Sequence, residues 1–426
     1  MSEKYGRTNH AGVARGPELD AALLRGMTQR RLSRRDMLRY SSAGAAVAFL
    51  AACGVSGTAD DTQGGGSSED DVKSFWDNAK ETDTLNFSNW DYYIDRSILK
   101  TFTKRTGIDV TYRTDVVDNN PFLARIIPDL QAGNYTGRDL IVITNGGPVE
   151  RMIKLGYLVP LDHDLLPNFN KNASVAVKNP SYDPGNKYTT AWQSGFTAIA
   201  YNSKYVKEPP RTFGDLLNAT QYKGKVGMFG NAQDLACPAL TYLGYDIQES
   251  TPDQWRKAAQ LLEKQRDQGI VRSYYGQPYI TAFENGDTLL TQCWSGDIFI
   301  ANAPKSVGGD GFPELKLNLP EEGGILWTDN MCIPKYAENP LSAIKMMDFV
   351  YEPEIAAILA DYIWYVSPVP AAKDIVLNKL DDPLVANSQL VFPSQSSLAK
   401  AKKYRVFKDS DEEEEWNSIF EPIFSG

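Results

Sequence analysis

The sequence predicts an α/β protein of two lobes. Each lobe is expected to be a mixed β-sheet flanked by helices, with the ligand in the cleft between them. Three observations carry this. Apolar strand-like runs alternate with segments of helical period from residue 84 onward. About 340 residues follow the low-complexity stretch, long for one core and comfortable for two. Aromatic and polar clusters stand just after several strands, where open α/β sheets hold their ligands.

In order, "TLNFSNW" (84–90) reads as a buried strand, and "SILKTFTKRTG" (97–107) as a helix stopped by glycine. "IDVTYRTD" (108–115) and the strongly apolar "RDLIVITN" (138–145) are strands, and "PVERMIKLG" (148–156) is a short helix opened by Pro148 and closed by Gly156. A second α/β set follows. "FTAIAYN" (196–202), "GKVGMFG" (224–230) and "DTLLTQCW" (287–294) are strands. "TFGDLLN" (212–218) starts a helix, and "TPDQWRKAAQLLEKQRDQG" (251–269) is a long helix capped by Thr251. The stretch 330–365 supplies a strand and two helices. No internal repeat is visible.

The first 53 residues read as an export signal. "SRRDMLR" (33–39) resembles the twin-arginine motif, and an apolar run of small residues follows over 43–52. That run is about ten residues long, whereas a membrane-spanning helix needs ~20. "LAAC" (50–53) resembles the bacterial lipobox, which makes Cys53 the lipidated residue. The Gly-, Ser- and acid-rich "GVSGTADDTQGGGSSEDD" (54–71) has almost nothing to bury. Residues 54–83 are therefore expected to be a flexible tether, with folding beginning near Thr82. The expected location is outside the cytoplasmic membrane, lipid-anchored to its outer face or periplasmic.

Composition removes several function classes. The chain carries 44 Lys+Arg and 54 Asp+Glu, a net charge of −10. Residues 1–53 hold nine of the bases and four of the acids, so the remainder stands at −15. This argues against nucleic acid as a partner. The histidines are His10 and His163 alone, which removes most histidine-based catalysis and metal binding. Cys53, Cys237, Cys293 and Cys332 show no CxxC spacing. A Cys293–Cys332 bridge is conceivable in an exported protein, but three buried free thiols are expected. No cofactor, metal or catalytic residue is expected.

Four clusters stand out: "NWDYY" (Trp90, Asp91, Tyr92, Tyr93), "GNAQD" (Asn231, Asp234), "CWSGD" (Trp294, Ser295, Asp297) and "LWTDN" (Trp327, Asp329, Asn330). Tyr365 closes a late helix. Each alone has an ordinary reading, because strand-end Trp packs and the following Asp caps. Together they suit a flexible chain bearing several ammonium groups. Methylenes lie against ring faces, ammonium groups gain ~0.5–2 kcal/mol each from cation–π attraction, and carboxylates accept charge-assisted hydrogen bonds.

With those residues in view, "LNFSNWDYY", "LKTFTKRTGIDVTY", "YDPGNKYTTAWQSGFTAIAYN", "WSGD" and above all "EEGGILWTDNMCIP" resemble the spermidine/putrescine-binding proteins of bacterial polyamine ABC importers. These are extracellular solute-binding lipoproteins or periplasmic proteins. The likeness runs from about residue 84 to about 371. It implies a hinged, two-lobed periplasmic-binding-protein-like fold of type II, with residues 84–196 and 327–373 in one lobe and 197–326 and 374–426 in the other. It also implies a permease and its ATPase as partners, and a monomeric, non-enzymatic protein.

The family's aromatic walls fall on Trp90, Tyr93, Trp294, Trp327 and Tyr365, and its central carboxylate on Asp329. A second acid, glutamate in the family, falls on Asp234. A third falls on Asn231, which removes a charge. The pair after the second strand of the family site falls near Asn145 and Gly147, so a wall is missing. Asp91 and Asp297 are acids where the family has neutral residues, and they are candidates to replace the lost charge. The rival readings are a binding protein for a sugar or another organic cation, an exported glycoside hydrolase, and a ferric-ion binder using Tyr92 and Tyr93 or Tyr274 and Tyr275. The acidic "DSDEEEEW" (409–416) is expected to be a solvated helix start, and "YRVFKD" (404–409) carries no assignment.

Overall fold

Strand and helix alternate as the residue pattern dictates. The computed structural model describes residues 69–276 and 278–425. The twin-arginine motif, the lipobox with Cys53 and the tether up to residue 68 lie outside the described residues. The first half runs α1 (Glu69–Asn78), β1 (Thr84–Trp90), α2 (Arg96–Thr106), β2 (Asp109–Val116), α3 (Asn119–Gln131), β3 (Leu140–Thr144), α4 (Pro148–Lys154), α5 (Pro167–Asn172) and β4 (Thr189–Asn202). Then come α6 (Phe213–Leu217), β5 (Val226–Phe229), α7 (Ala232–Tyr242), α8 (Pro252–Asp267), β6 (Val271–Tyr275), α9 (Tyr279–Glu284), β7 (Leu290–Trp294) and α10 (Ser295–Asn302). The chain finishes with β8 (Leu315–Asn318), β9 (Ile325–Cys332), α11 (Pro340–Phe349), α12 (Pro353–Ile363), α13 (Ala372–Asn378), α14 (Pro383–Ala386), α15 (Gln395–Lys400), β10 (Lys402–Lys403) and α16 (Ser410–Ser425).

Local chemistry sets the boundaries. Asp95 caps α2 by accepting from Ser97 N at 2.8 Å. Gly107 ends it at φ 77, a left-handed conformation that glycine adopts without strain. At α8, Gln254 Oε1 accepts from Thr251 N at 2.9 Å, one arm of a capping box. The central strand β3, Leu-Ile-Val-Ile-Thr, is covered on both faces, so its apolar run is unbroken rather than alternating.

The strands lie in the order β2-β1-β3-β9-β4-β7-β5-β6, with β8 paired to β4 and β10 to β9. β1, β2 and β3 are mutually parallel, as are β5, β6 and β7. Between the two triplets run β9 and β4, each antiparallel to its neighbours in that order, while the short β10 pairs parallel with β9. Three antiparallel steps separate β3 from β7, so the triplets point in opposite directions. Their carboxyl ends therefore approach one another. β4 stitches the halves together: Thr197 lies opposite both Trp294 of β7 and Ile325 of β9. Cys237, Cys293 and Cys332 are free and buried.

One expectation needs correction. Part of the segment read as a tether, residues 69–78, is helix α1, so the ordered fold begins well before Thr82. Its composition is poor, but Trp76 is only 5% exposed and joins the core that contains Leu85 and Val159. The Trp76 indole N–H also donates to the Pro160 carbonyl at 2.9 Å. A single large side chain binds a segment whose average polarity reads as unstructured. Trp76→Ala is expected to lower stability by about 3 kcal/mol or more. Urea unfolding measures this, and an unchanged midpoint refutes the docking of α1.

Candidate functional site

The opposed carboxyl ends of the two triplets frame a cleft of about 660 Å³. Trp90 and Thr144 end β1 and β3 on one side, and Trp294 ends β7 on the other. Asn231, just after β5, joins them. All ten sequence-predicted residues line this one cleft: Trp90, Asp91, Tyr93, Asn231, Asp234, Trp294, Asp297, Trp327, Asp329 and Tyr365. Among the described lining residues, the acids are Asp91, Asp118, Asp234, Asp297, Asp329, Glu413 and Glu421, and the one base is Arg151.

Three acids form buried anchors. Asp329 is 5% exposed and accepts from the Tyr93 hydroxyl at 2.7 Å and the Thr144 hydroxyl at 2.6 Å. Burial pushes its carboxyl up to about 6, and the two donors offset only part of that rise. Burial and the facing Asp329 raise the Tyr93 phenol well above its usual range, so it remains a donor. Asp297 accepts from the Tyr365 hydroxyl at 3.0 Å and the Tyr279 hydroxyl at 3.1 Å. Asp234 accepts from Tyr404 at 2.5 Å, from Thr197 at 2.7 Å and from Asn231 Nδ2 at 2.7 Å. Burial raises the Asp234 carboxyl too. The described side chains that donate to Asp329 and Asp234 are hydroxyls, the Asn231 amide and the Trp294 indole, all neutral. A carboxylate held this way is solvated in part but not charge-balanced, and a cation entering the cleft completes it.

The rings are fixed as firmly. Trp327 and Tyr365 lie 5.4 Å apart at 54°, and Tyr93 meets Tyr365 edge-on at 6.0 Å. Trp294, which lines the cleft, stacks on Phe229 at 4.6 Å and 24° and meets Tyr279 edge-on at 5.5 Å. Gly195 and Gly296 make these positions available. A Cβ at Gly195 collides with the Trp327 and Tyr365 rings, and one at Gly296 with the Tyr365 ring. Trp90 is half-buried, while Asp91 is exposed and accepts from Tyr92 N at 3.0 Å.

Several roles differ from expectation. Trp327 and Asp329 lie inside β9, not beyond a strand end, because β9 runs the length of the junction between the triplets. Asn231 caps α7: its Oδ1 accepts from Asp234 N at 2.8 Å while its Nδ2 holds the Asp234 carboxylate. It positions an acid while itself lining the cleft. Asn145 stitches β3 to β9 through Thr328 N at 2.8 Å. Thr144, Tyr279 and Tyr404 were not singled out in the sequence. Threonine and tyrosine donors to an acid leave no spacing signature when they come from distant segments. The "DSDEEEEW" helix start is not simply solvated, since Glu413, Asn417 and Glu421 of α16 line the cleft. Their i, i+4, i+8 spacing marks one helix face and was readable.

Comparison with known proteins places this geometry. Residues 97–393 match the family model described as bacterial extracellular solute-binding protein. The spermidine/putrescine-binding periplasmic protein of Salmonella typhimurium is 30% identical over 324 residues, covering 76% of this chain and 87% of that one. The putrescine-binding periplasmic protein PotF of Escherichia coli is 29% identical over 310 residues, covering 70% and 81%. Among solved structures, the spermidine/putrescine ABC transporter substrate-binding protein PotD of Streptococcus pneumoniae superposes with a TM-score of 0.67 at 25% identity, over 80% of this chain and 98% of that one. The fold is the two-lobed, type II periplasmic-binding-protein fold. By the extent of that match and by its architecture, the chain belongs to the bacterial extracellular solute-binding protein family.

Proposed function

We propose that this protein is the substrate-binding component of an ABC importer and captures a polyamine of the putrescine/spermidine class outside the cytoplasmic membrane. The observation that carries the reading is Asp329, a buried carboxylate held by neutral donors in a cleft walled by Trp327, Tyr365 and Trp294. The similarity to spermidine- and putrescine-binding proteins supports it.

In this reading an ammonium group sits on Asp329, and others reach Asp297 and Asp234. The methylenes between them lie along the rings. The lobes are residues 84–196 with 327–373, and 197–326 with 374–426, and the chain crosses between them near Phe196–Thr197, near Trp327 and near Ile375. Ligand shifts the hinge only by its greater affinity for the closed form. The closed complex docks on the permease, whose ATPase supplies the work. Cys53, lipidated, holds the protein at the outer face of the membrane. The protein acts as a monomeric carrier without catalysis.

The reading is tested by native mass spectrometry of the purified protein, followed by calorimetry with putrescine, spermidine, amino sugars and other organic cations. Retention of an amine of matching mass supports it; tight binding of a neutral sugar with no amine binding overturns it. Asp329→Asn is expected to weaken putrescine binding at least about 30-fold, since breaking a buried charge pair costs ~2–5 kcal/mol. The same change leaves the thermal midpoint of the ligand-free protein unchanged or raised, because it removes a desolvated charge. Unchanged affinity refutes Asp329 as the anchor.

Affinity also depends on pH, with a defined sign. The amine stays charged, with a lysine-like pKa of ~10.4, while Asp329 without ligand takes up a proton below pH about 6. Binding is strong above that value and falls about tenfold by pH 5, with proton release on binding. Calorimetry at pH 7.5 and pH 5 in buffers of different ionisation enthalpy reads both quantities. Equal affinity at the two pH values contradicts the assignment.

A further inference from the structure

The sole base among the described residues lining an acidic cleft calls for a reason. Arg151 repels the cationic ligand proposed above, so its presence must serve something else. Its guanidinium pairs with Glu413 at 2.6 Å, with the two side chains 33% and 16% exposed. The partners come from opposite sides of the cleft. α4, which carries Arg151, packs on α3 and β3. α16, which carries Glu413, packs on α7 and α8.

The segment leading into α16 is bolted to the α7/α8 side. Arg405 is 3% exposed and donates to the Ile247 carbonyl at 2.7 Å and to Glu412 at 2.7 Å. Its guanidinium lies 4.8 Å over the Trp255 ring. Trp416 meets Trp255 edge-on at 5.2 Å. From that anchorage three contacts reach across to the β3–α4 side. One is the Arg151–Glu413 pair. The second is Lys154 Nζ donating to the Phe407 carbonyl at 2.8 Å. The third is the Tyr404 ring, which covers Gly146.

The turn that receives these contacts has no side chains in the way. A Cβ at Gly146 meets the Tyr404 ring at 2.6 Å, and one at Gly147 stands 3.2 Å from Glu413 Oε1. Both glycines have positive φ, 84 and 124, which a substituted residue adopts only with strain. Gly147, Arg151 and Lys154 fall at i, i+4 and i+7, one face of α4.

The geometry points to an interlobe clasp: the C-terminal segment 404–413 closes on the Gly146–Gly147 turn and α4, with Arg151 and Glu413 as its charged pair. The clasp biases the protein toward the closed form before ligand arrives and retards release afterwards. It rests on the hinged-lobe reading but not on the identity of the ligand.

The test uses the whole protein and two readouts. Small-angle scattering of the ligand-free protein is expected to show a larger radius of gyration for Arg151→Ala than for wild type. Raising salt should move wild type the same way, because the pair is half-exposed and screened. Stopped-flow release of putrescine is expected to quicken about threefold or more in Arg151→Ala, with the association rate within about twofold of wild type. Arg151→Lys should stay near wild type. The exchanged pair Arg151→Glu with Glu413→Arg should recover most of what either single change loses. Unchanged scattering and release in Arg151→Ala overturn the clasp, as does an exchanged pair no better than the sum of its singles. If no amine binds, the polyamine reading fails and scattering alone decides the clasp.

Discussion

An ionised carboxylate sealed from water loses hydration worth several kcal/mol, and hydroxyl donors return only part of it. Asp329 stands in that position. Tyr93 and Thr144 orient it, their protons pointing at its two oxygens, and neither supplies a charge. Its raised pKa is the signature of the deficit. Much of the surrounding structure can be read as holding this deficit open. Gly195 admits the Trp327 and Tyr365 rings against the strand beside it. Asn145 fixes β9 to β3 next to the acid, through Thr328. A water-filled site would relax such an acid. A site walled by rings keeps it poised for a cation that brings its own charge.

The sheet explains why three such acids can face one gap. A single parallel sheet has its carboxyl ends along one edge, and ligand groups must reach out from it. Here two parallel triplets run in opposite senses, separated by β9 and β4. Their carboxyl ends meet head to head, and the residues that end the strands need no long loops to converge. Asp234 comes from the first turn of α7 after β5, Asp297 from the first turn of α10 after β7, and Asp329 from the dividing strand itself. Helix N-termini also suit negative side chains, so two of the three acids sit where the helix dipole steadies them.

How much of this the residues disclosed depended on range. Strands with continuous apolar runs, such as β3, and helices with both caps, such as α2, were legible because a few neighbouring residues determine them. Most of the cleft residues were legible because aromatic and acid recur together in short clusters, whereas Tyr365 follows a helix and was legible through the resemblance. The partners of those acids were not. Tyr404 lies 170 residues from Asp234, and Tyr93 lies 236 from Asp329. Such pairings are properties of the closed sheet and leave no local pattern. The α1 helix was missed for the opposite reason: composition averages over a window, whereas one indole, Trp76, decides the docking. The capping role of Asn231 was not legible, because a cap that also grips the acid three residues on looks the same in sequence as a residue turned only toward a ligand.

The wall that the resemblance leaves missing near Asn145 and Gly147 has a ring from elsewhere in the chain beside it. With two glycines in the turn after β3 and the Asn145 side chain engaged with Thr328, that turn supplies no ring to its end of the cleft. The Tyr404 ring, delivered from the C-terminal segment, occupies the space above Gly146 that a side chain there would take. Its hydroxyl reaches Asp234 on the far side. A ring supplied from within the turn would belong to one lobe in every state of the hinge. A ring supplied from the α16 segment covers the turn only while the two sides are together. In the clasp proposed above, binding surface and closure are parts of one contact. That coupling follows from the glycines, since any larger residue at position 146 would drive the ring away and separate the two functions.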